Sequence, residues 1–320
     1  RKGQNMFRVW LSGFYRRYKE QIAKLLKLFG ILILIGIAFA YSVKNRSGSG
    51  ETSDNKTVYN PSKTIISGED VDKDTYKKEE NLVKTFVDYC NNKKIQDAYN
   101  LLTDECKEKM YPNIETFKKN YYDIIFTQNR ECNLQSWISE KGYNTYKVTF
   151  IEDIMATGNY DNVEKLEDYI TIVNKGNEEK INVNNYVKTE EINKTTKNEY
   201  VEITVKSVDT YINKVKYYIE ATNLSSNVIL LDSLKDKSTL KLLATDNSEC
   251  VLDTLNLFST NLILYKNTVN KKIELNFKKQ YASEKTDKSI EFKKVIIDYE
   301  DYIKDTKNYS NNTQMSINLK

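Results

Sequence analysis

Leu101–Phe117 reads LLTDECKEKMYPNIETF, and its spacing decides how the first half of the chain is built. Leu102, Cys106 and Met110 recur every four residues, which puts them on one face of a helix. Asp104, Glu105, Lys107, Glu108 and Lys109 fall on the other, wet face. Thr103 or Asp104 can cap the start, because a short side-chain oxygen can accept from the free N–H groups of the first turn. Pro112-Asn113 stops that helix, and Asn113 can cap the next one. There Ile114, Phe117, Tyr121 and Ile124 make one face at offsets 0, 3, 7 and 10. The stretch therefore predicts a corner between helices rather than the wall of a catalytic pocket.

The pattern extends in both directions. Upstream, Leu82, Val83, Phe86, Val87 and Cys90 repeat at three and four, Asn91-Asn92 interrupts, and Ile95, Ala98, Tyr99 and Leu102 begin a second stripe. Beyond Arg130 the period drops to two: Tyr146, Val148 and Phe150 alternate with polar residues or the opposite face. "EDYITIV" (167–173) reads as a strand, "NKGNEEK" (174–180) as a turn and "INVNNYV" (181–187) as a further strand. Helices followed by antiparallel strands make residues 76–188 an α+β unit.

The segments LVKTFVDYCNNKKIQDAYNLLTDE (Leu82–Glu105) and YPNIETFKKNYYDII (Tyr111–Ile125), leading into strands, resemble nuclear-transport-factor-2-like domains. These cystatin-like, cone-shaped domains occur outside many Gram-positive cells. The resemblance implies a scaffold that serves in some proteins as an enzyme and in many as a binding module.

Residues 198–304 read as nearly all strand. Val201, Ile203 and Val205 share one face, as do Val215, Tyr217, Ile219 and Ala221, and further short runs follow at intervals near ten residues. Such spacing argues a β-sandwich. It resembles the immunoglobulin-like ectodomains of secreted Firmicutes proteins, without a Cys…Trp…Cys core, since Cys250 is its sole cysteine. The tail 305–320 reads as loosely ordered.

The N-terminal part carries a different signal. The 320 residues have a net charge of +4. Residues 1–27 hold eight basic residues and one acid, a net of +7; the remaining 41 basic and 44 acidic residues leave −3. A nucleic-acid partner is therefore not expected. Leu28–Val43 has no charge and predicts a transmembrane helix, with the basic side cytoplasmic and residues 44–320 extracytoplasmic. Arg16, Arg17, Lys19, Lys24 and Lys27 are the expected membrane-surface residues, so lipids are an expected partner through residues 1–43. A cleaved signal peptide ending at Ala38-Phe39-Ala40 is the rival reading. Residues 44–75, polar and rich in Ser, Gly and Asp, predict a flexible linker.

Catalytic signals are sparse. The chain has no histidine, which removes the commonest general base and metal ligand. It has no GxSxG, P-loop or GxGxxG. Glu152-Asp153 follows an apolar strand, but neighbours in a strand point to opposite faces and do not converge. Tyr121-Tyr122 and Tyr217-Tyr218 are candidate aromatic surfaces, with one ring of each pair expected in the core. Cys90, Cys106 and Cys132 are candidate disulfide cysteines, Cys90 with Cys106 or Cys106 with Cys132, and buried free thiols fit equally. No cofactor or metal is expected, since the cysteines lack ligand spacing.

The class expected from sequence is a single transmembrane helix, an α+β cone-shaped domain and an all-β immunoglobulin-like sandwich. The expected function is a non-enzymatic, membrane-anchored binding or scaffold protein of the envelope, whose partner is an envelope protein or wall component. A subunit of a conjugation or type IV secretion channel is the alternative, and an envelope polymer hydrolase the third.

Overall fold

The computed structural model describes residues 61–152, 164–176, 178–234, 239–282 and 286–320. Asn60–Lys320 form one compact unit. The expected span at 28–43 and the five membrane-surface residues lie outside the described residues.

The first sheet contains β1 Ser67–Gly68, β2 Arg130–Glu140, β3 Tyr143–Glu152, β4 Lys165–Lys175 and β5 Glu178–Asn182, in that order. All neighbours are antiparallel except β1, which runs parallel to β2. Helix α1, Lys73–Asn91, packs against β2. Asp72 caps it, accepting from the N–H groups of Asp74 and Thr75 at 3.0 Å. Its buried face is Tyr76, Glu79, Val83, Phe86, Val87 and Cys90, a helical repeat that feeds the first core. Residues 61–72, expected in the flexible linker, instead lie against this sheet: Ser62 and Val71 are buried, and Ser136 N–H donates to Pro61 O at 2.8 Å.

The helical corner follows: α2 Ile95–Asn100, α3 Asp104–Met110 and α4 Ile114–Phe117. Thr103 caps α3 by accepting from Cys106 N–H at 3.0 Å, and Asn113 caps α4 by accepting from Thr116 N–H at 2.8 Å. The corner is stitched to β5, with Thr103 N–H donating to Ile181 O and Ile181 N–H to Leu101 O, both at 3.0 Å. After α4 comes a π-helical turn, Lys118–Tyr122, and then α5 Asp123–Ile125. A π turn holds an extra residue, so it rotates the phase of the face that follows. Phe117 and Tyr121 stay buried, Tyr122 and Phe126 join them, and Ile124, expected on the apolar face, is 60% exposed.

The second sheet is built from β6 Tyr186–Lys197, β7 Val201–Tyr211, β8 Lys214–Asn223, β9 Ile229–Leu230, β10 Leu240–Ala244, β11 Glu249–Leu252, β12 Ile263–Leu264, β13 Lys271–Lys278, β14 Asp287–Ile296 and β15 Asn312–Asn318. Its order is β12-β9-β14-β10-β11-β13-β8-β7-β6, with β15 on β14. β11 turns the corner, pairing with β10 through Cys250 and Glu249 and with β13 through Val251 and Leu252. The two halves of the sheet thus enclose one core, with Val201, Ile203, Val205, Tyr217 and Ile219 from one half and Leu240, Leu242, Ile290, Phe292 and Ile317 from the other.

These observations correct the expected class. The described chain is predominantly β, in two sheets within one compact unit, and none of its helices is long and apolar enough to cross a membrane. Two further differences have local causes. Residues 181–187 are not one strand: Asn184 and Asn185 sit at φ 59° and 65°, and the chain turns there from the first sheet into the second. Asn tolerates the left-handed region better than most residues. The Asp168 carboxylate fixes the turn, accepting from Asn184 N–H at 2.9 Å and Asn185 N–H at 3.1 Å. Residues 189–197, left between the two expected domains, continue β6. The tail, expected to be loose, supplies β15, whose Met315 and Ile317 alternate into the core.

Candidate binding cleft

Where the two sheets meet, three side chains form a small apolar knot: Ile138 of β2, Val187 of β6 and Ile212 after β7, covered by Trp137, Tyr169 and Tyr281. Backbone bonds tie the same place. Ile212 N–H donates to Asn185 O at 3.0 Å, Tyr281 N–H to Ile212 O at 2.8 Å and Lys279 N–H to Asn213 O at 3.1 Å. Beside the knot lies a cleft of about 380 Å³. Its size falls within the range of small-molecule sites, and junctions between packed units are where such sites concentrate.

The register of β6 explains why the cleft stays open. Lys188 pairs with Thr210, Glu190 with Val208 and Lys194 with Val205. Directly paired residues of an antiparallel ladder point to the same side. Lys188, Glu190 and Lys194 therefore share the side of Val205, Val208 and Thr210, with Lys188 half-buried and Glu190 and Lys194 exposed at the rim. Charged side chains resist collapse onto the facing strands, because losing their water is costly. The floor is Val208, Val215 and Tyr217, and the far wall is Asp287 and Leu319.

The polar groups are partly engaged. Asp287 accepts from Tyr217 Oη and from Lys279 Nζ, each at 2.5 Å. Burial, then the Asp287 charge, pushes the Tyr217 phenol well above its ordinary range. Lys188 lies 3.5 Å from Glu140 and 3.4 Å from Glu190. The Tyr281 hydroxyl is buried beside the Glu140 carboxylate. Burial first, and then Glu140, pushes its ionisation up.

The other candidates fall elsewhere. Glu152 is buried at the end of β3, and Asp153 is outside the described residues. Tyr121 and Tyr122 are both buried, Tyr121 donating to Asp168 at 2.8 Å and Tyr122 stacked on Phe126 at 5.8 Å. Tyr217 and Tyr218 lie on opposite faces, Tyr217 on the cleft floor and Tyr218 donating to Asp209 at 2.6 Å. Cys90, Cys106, Cys132 and Cys250 are free thiols. Burial pushes Cys106 up to about 12 and Cys132 up to about 11, which keeps both protonated and unreactive near neutrality. No group of Cys, Asp and Glu that could hold a metal occurs among the described residues.

Sequence reasoning did not single out Glu79, which faces β3 and β4 from α1. It accepts from Tyr146 Oη and from Asn144 Nδ2 at 3.0 and 3.1 Å. Its i, i+4 place before Val83 was the available signal. Burial raises the Glu79 and Asp168 carboxyls above their ordinary range, against the hydrogen bonds that lower them. The folded chain then holds protons that the unfolded chain has released, so this contribution to stability falls as pH rises from about 4 through the raised folded value. Glu79→Gln removes one such group. Its melting temperature should vary less across that window than that of the parent; an unchanged profile would refute the assignment.

Comparison of the chain with protein-family profiles, with curated proteins and with solved structures finds no match.

Proposed function

We propose that the chain is a non-catalytic binding module of the cell envelope and that the cleft beside β6 is where it holds its ligand. The observation that carries this reading is the row of Lys188, Glu190 and Lys194 on the side of β6 that it shares with Val205, Val208 and Thr210, lining an open cleft of about 380 Å³. Such charges on an edge strand also discourage edge-to-edge aggregation. A rim beside a filled interior would be enough for that; here they line a cleft of about 380 Å³. Against catalysis stand the lack of any histidine and the engagement of Asp287 by a phenol and an ammonium group. Envelope placement rests on the +7 charge of residues 1–27, read from sequence.

The test is calorimetric titration of the full-length protein with soluble envelope fragments, glycan and peptide. Saturable binding is expected, and Ala282→Trp, which fills the cleft, should abolish it while leaving the melting temperature within about 3 °C of the parent. Binding that survives Ala282→Trp would put the ligand elsewhere and overturn the reading.

A further inference from the structure

Among the described residues ten large apolar side chains are exposed, and five of them, Val251, Leu255, Phe258, Tyr265 and Val269, fall on β11 and the connection from it to β13. Leu224 is a sixth beside them, since Asn223 N–H donates to Thr268 O at 2.9 Å. Apolar side chains exposed singly need no explanation, whereas a gathering of them marks a contact surface. The core has already taken its share of this stretch: Leu252, Leu257, Leu262, Ile263 and Leu264 are buried in it. The stretch is therefore apolar on both sides, and its outer side is left in water.

The outer residues are held in place. Thr268 N–H donates to Tyr265 O at 3.0 Å, Asn270 N–H to Thr222 Oγ1 at 2.9 Å and Phe258 N–H to Asn261 Oδ1 at 2.9 Å. A surface preformed in this way binds without a further ordering cost. From Val251 to Lys272 there is one acid, Asp253, against Lys266, Lys271 and Lys272, so the stretch has no excess of acid to repel an anionic surface. The rest of the chain decides what lies within reach. Residues 1–43, with a net +7 over residues 1–27 and no charge from Leu28 to Val43, are the part that sequence assigns to lipid. Seventeen residues, 44–60, separate them from Pro61, a reach of at most about 60 Å. A bilayer tethered that close stands at high effective concentration, so a shallow apolar contact is enough to hold it.

We propose that this outer side docks on an anionic bilayer, with Leu255, Phe258, Tyr265 and Val269 at the boundary between headgroups and acyl chains and Lys266 against lipid phosphate. Tyrosine suits that level because its ring is apolar and its hydroxyl stays wet. The inference rests on the envelope placement of the chain and is independent of the cleft.

Full-length protein is incorporated into vesicles of phosphatidylcholine and phosphatidylglycerol, with and without brominated acyl chains, which quench a tryptophan only on contact. In the parent, Trp10 reports lipid contact of residues 1–43. In a Trp10→Phe background, Phe258→Trp reports the patch and Ile124→Trp, on α5, reports exposed surface elsewhere. Brominated lipid should lower Phe258→Trp emission by about half, as for a ring about 5–10 Å into the headgroup–acyl boundary, and leave Ile124→Trp unchanged. Adding Leu255→Ser and Val269→Ser, both at exposed positions where the fold tolerates change, should reduce that loss roughly twofold. Quenching at Trp10 without quenching at Phe258→Trp, or equal quenching at Phe258→Trp and Ile124→Trp, would overturn the docking and leave the envelope placement standing. No quenching at Trp10 would overturn the placement and the docking together. Phe258→Trp emission that moves to the blue as protein concentration rises, without quenching by bromine, would make a second copy the occupant and overturn the lipid assignment.

Discussion

Asp209→Ala will lower the melting temperature by about 6–12 °C, the equivalent of about 3 kcal/mol for a chain of this size. Asp209 lies on β7 and is fully buried. It accepts from Thr189 Oγ1 at 2.6 Å and Tyr218 Oη at 2.6 Å, and Lys109 Nζ stands 3.3 Å away. Lys109 also lies 4.6 Å from the centre of the Tyr218 ring. It belongs to α3, so this carboxylate joins the helical corner of the first layer to the second sheet. Alanine leaves two hydroxyls and an ammonium group without their acceptor. Removing one partner of a buried pair costs more than the pair contributes, because the rest stays desolvated. Lys109 is about a quarter exposed and can recover some water, which holds the loss near the lower end of the range. Lys109→Met should cost less, since Asp209 keeps two hydroxyl donors. Thermal melts of both variants check the order. A loss under about 1 kcal/mol for Asp209→Ala would show that the two layers hold together without it.

Lys109 also shows where sequence stops being informative. Its place opposite Leu102, Cys106 and Met110 assigned it to solvent, and local spacing can say no more than that. Its partner is a hundred residues away and arrives through strand register. Periodicity did locate α1, whose Val83, Phe86, Val87 and Cys90 are all buried, and the alternation of Tyr146, Val148 and Phe150 on β3. The capping residues Thr103 and Asn113 were readable for the same reason, since a cap acts within three residues. What local patterns could not carry was the division between units. The run 189–197 fell between the two expected domains because its residues on the cleft side, Glu190 and Lys194, are charged. The Asn184-Asn185 turn looked like strand because the carboxylate that fixes it, Asp168, lies on another strand. Met315 and Ile317 gave too short an alternation to outweigh a polar tail.

Phe117→Ala should be at least as damaging as Asp209→Ala, at about 3–5 kcal/mol. Phe117 is fully buried at the end of α4, where the π turn begins. Its ring meets four others: Tyr111 at 5.5 Å, Tyr121 at 5.6 Å, Tyr99 at 5.8 Å and Phe86 at 6.4 Å. Tyr111 meets it edge-on at 82°, whereas Tyr121 lies nearly parallel at 19°. Mixed edge and stacked contacts of this kind add to the burial of the ring itself. The cost also depends on whether neighbours can collapse into the space. Here they are tethered: Tyr121 donates to Asp168, and Tyr99 donates to Tyr111 O at 2.8 Å. Rings held by their own hydroxyls cannot slide inward without breaking those bonds, so the cavity persists and the loss approaches the upper value. Phe117→Leu, which keeps most of the volume, should cost under about 1.5 kcal/mol. The near-ultraviolet circular dichroism of Phe117→Ala should weaken with it, as tyrosines around the hole lose fixed orientation. A variant that melts like the parent, with its aromatic signal intact, would show that α1 and the helical corner are not held together through this ring.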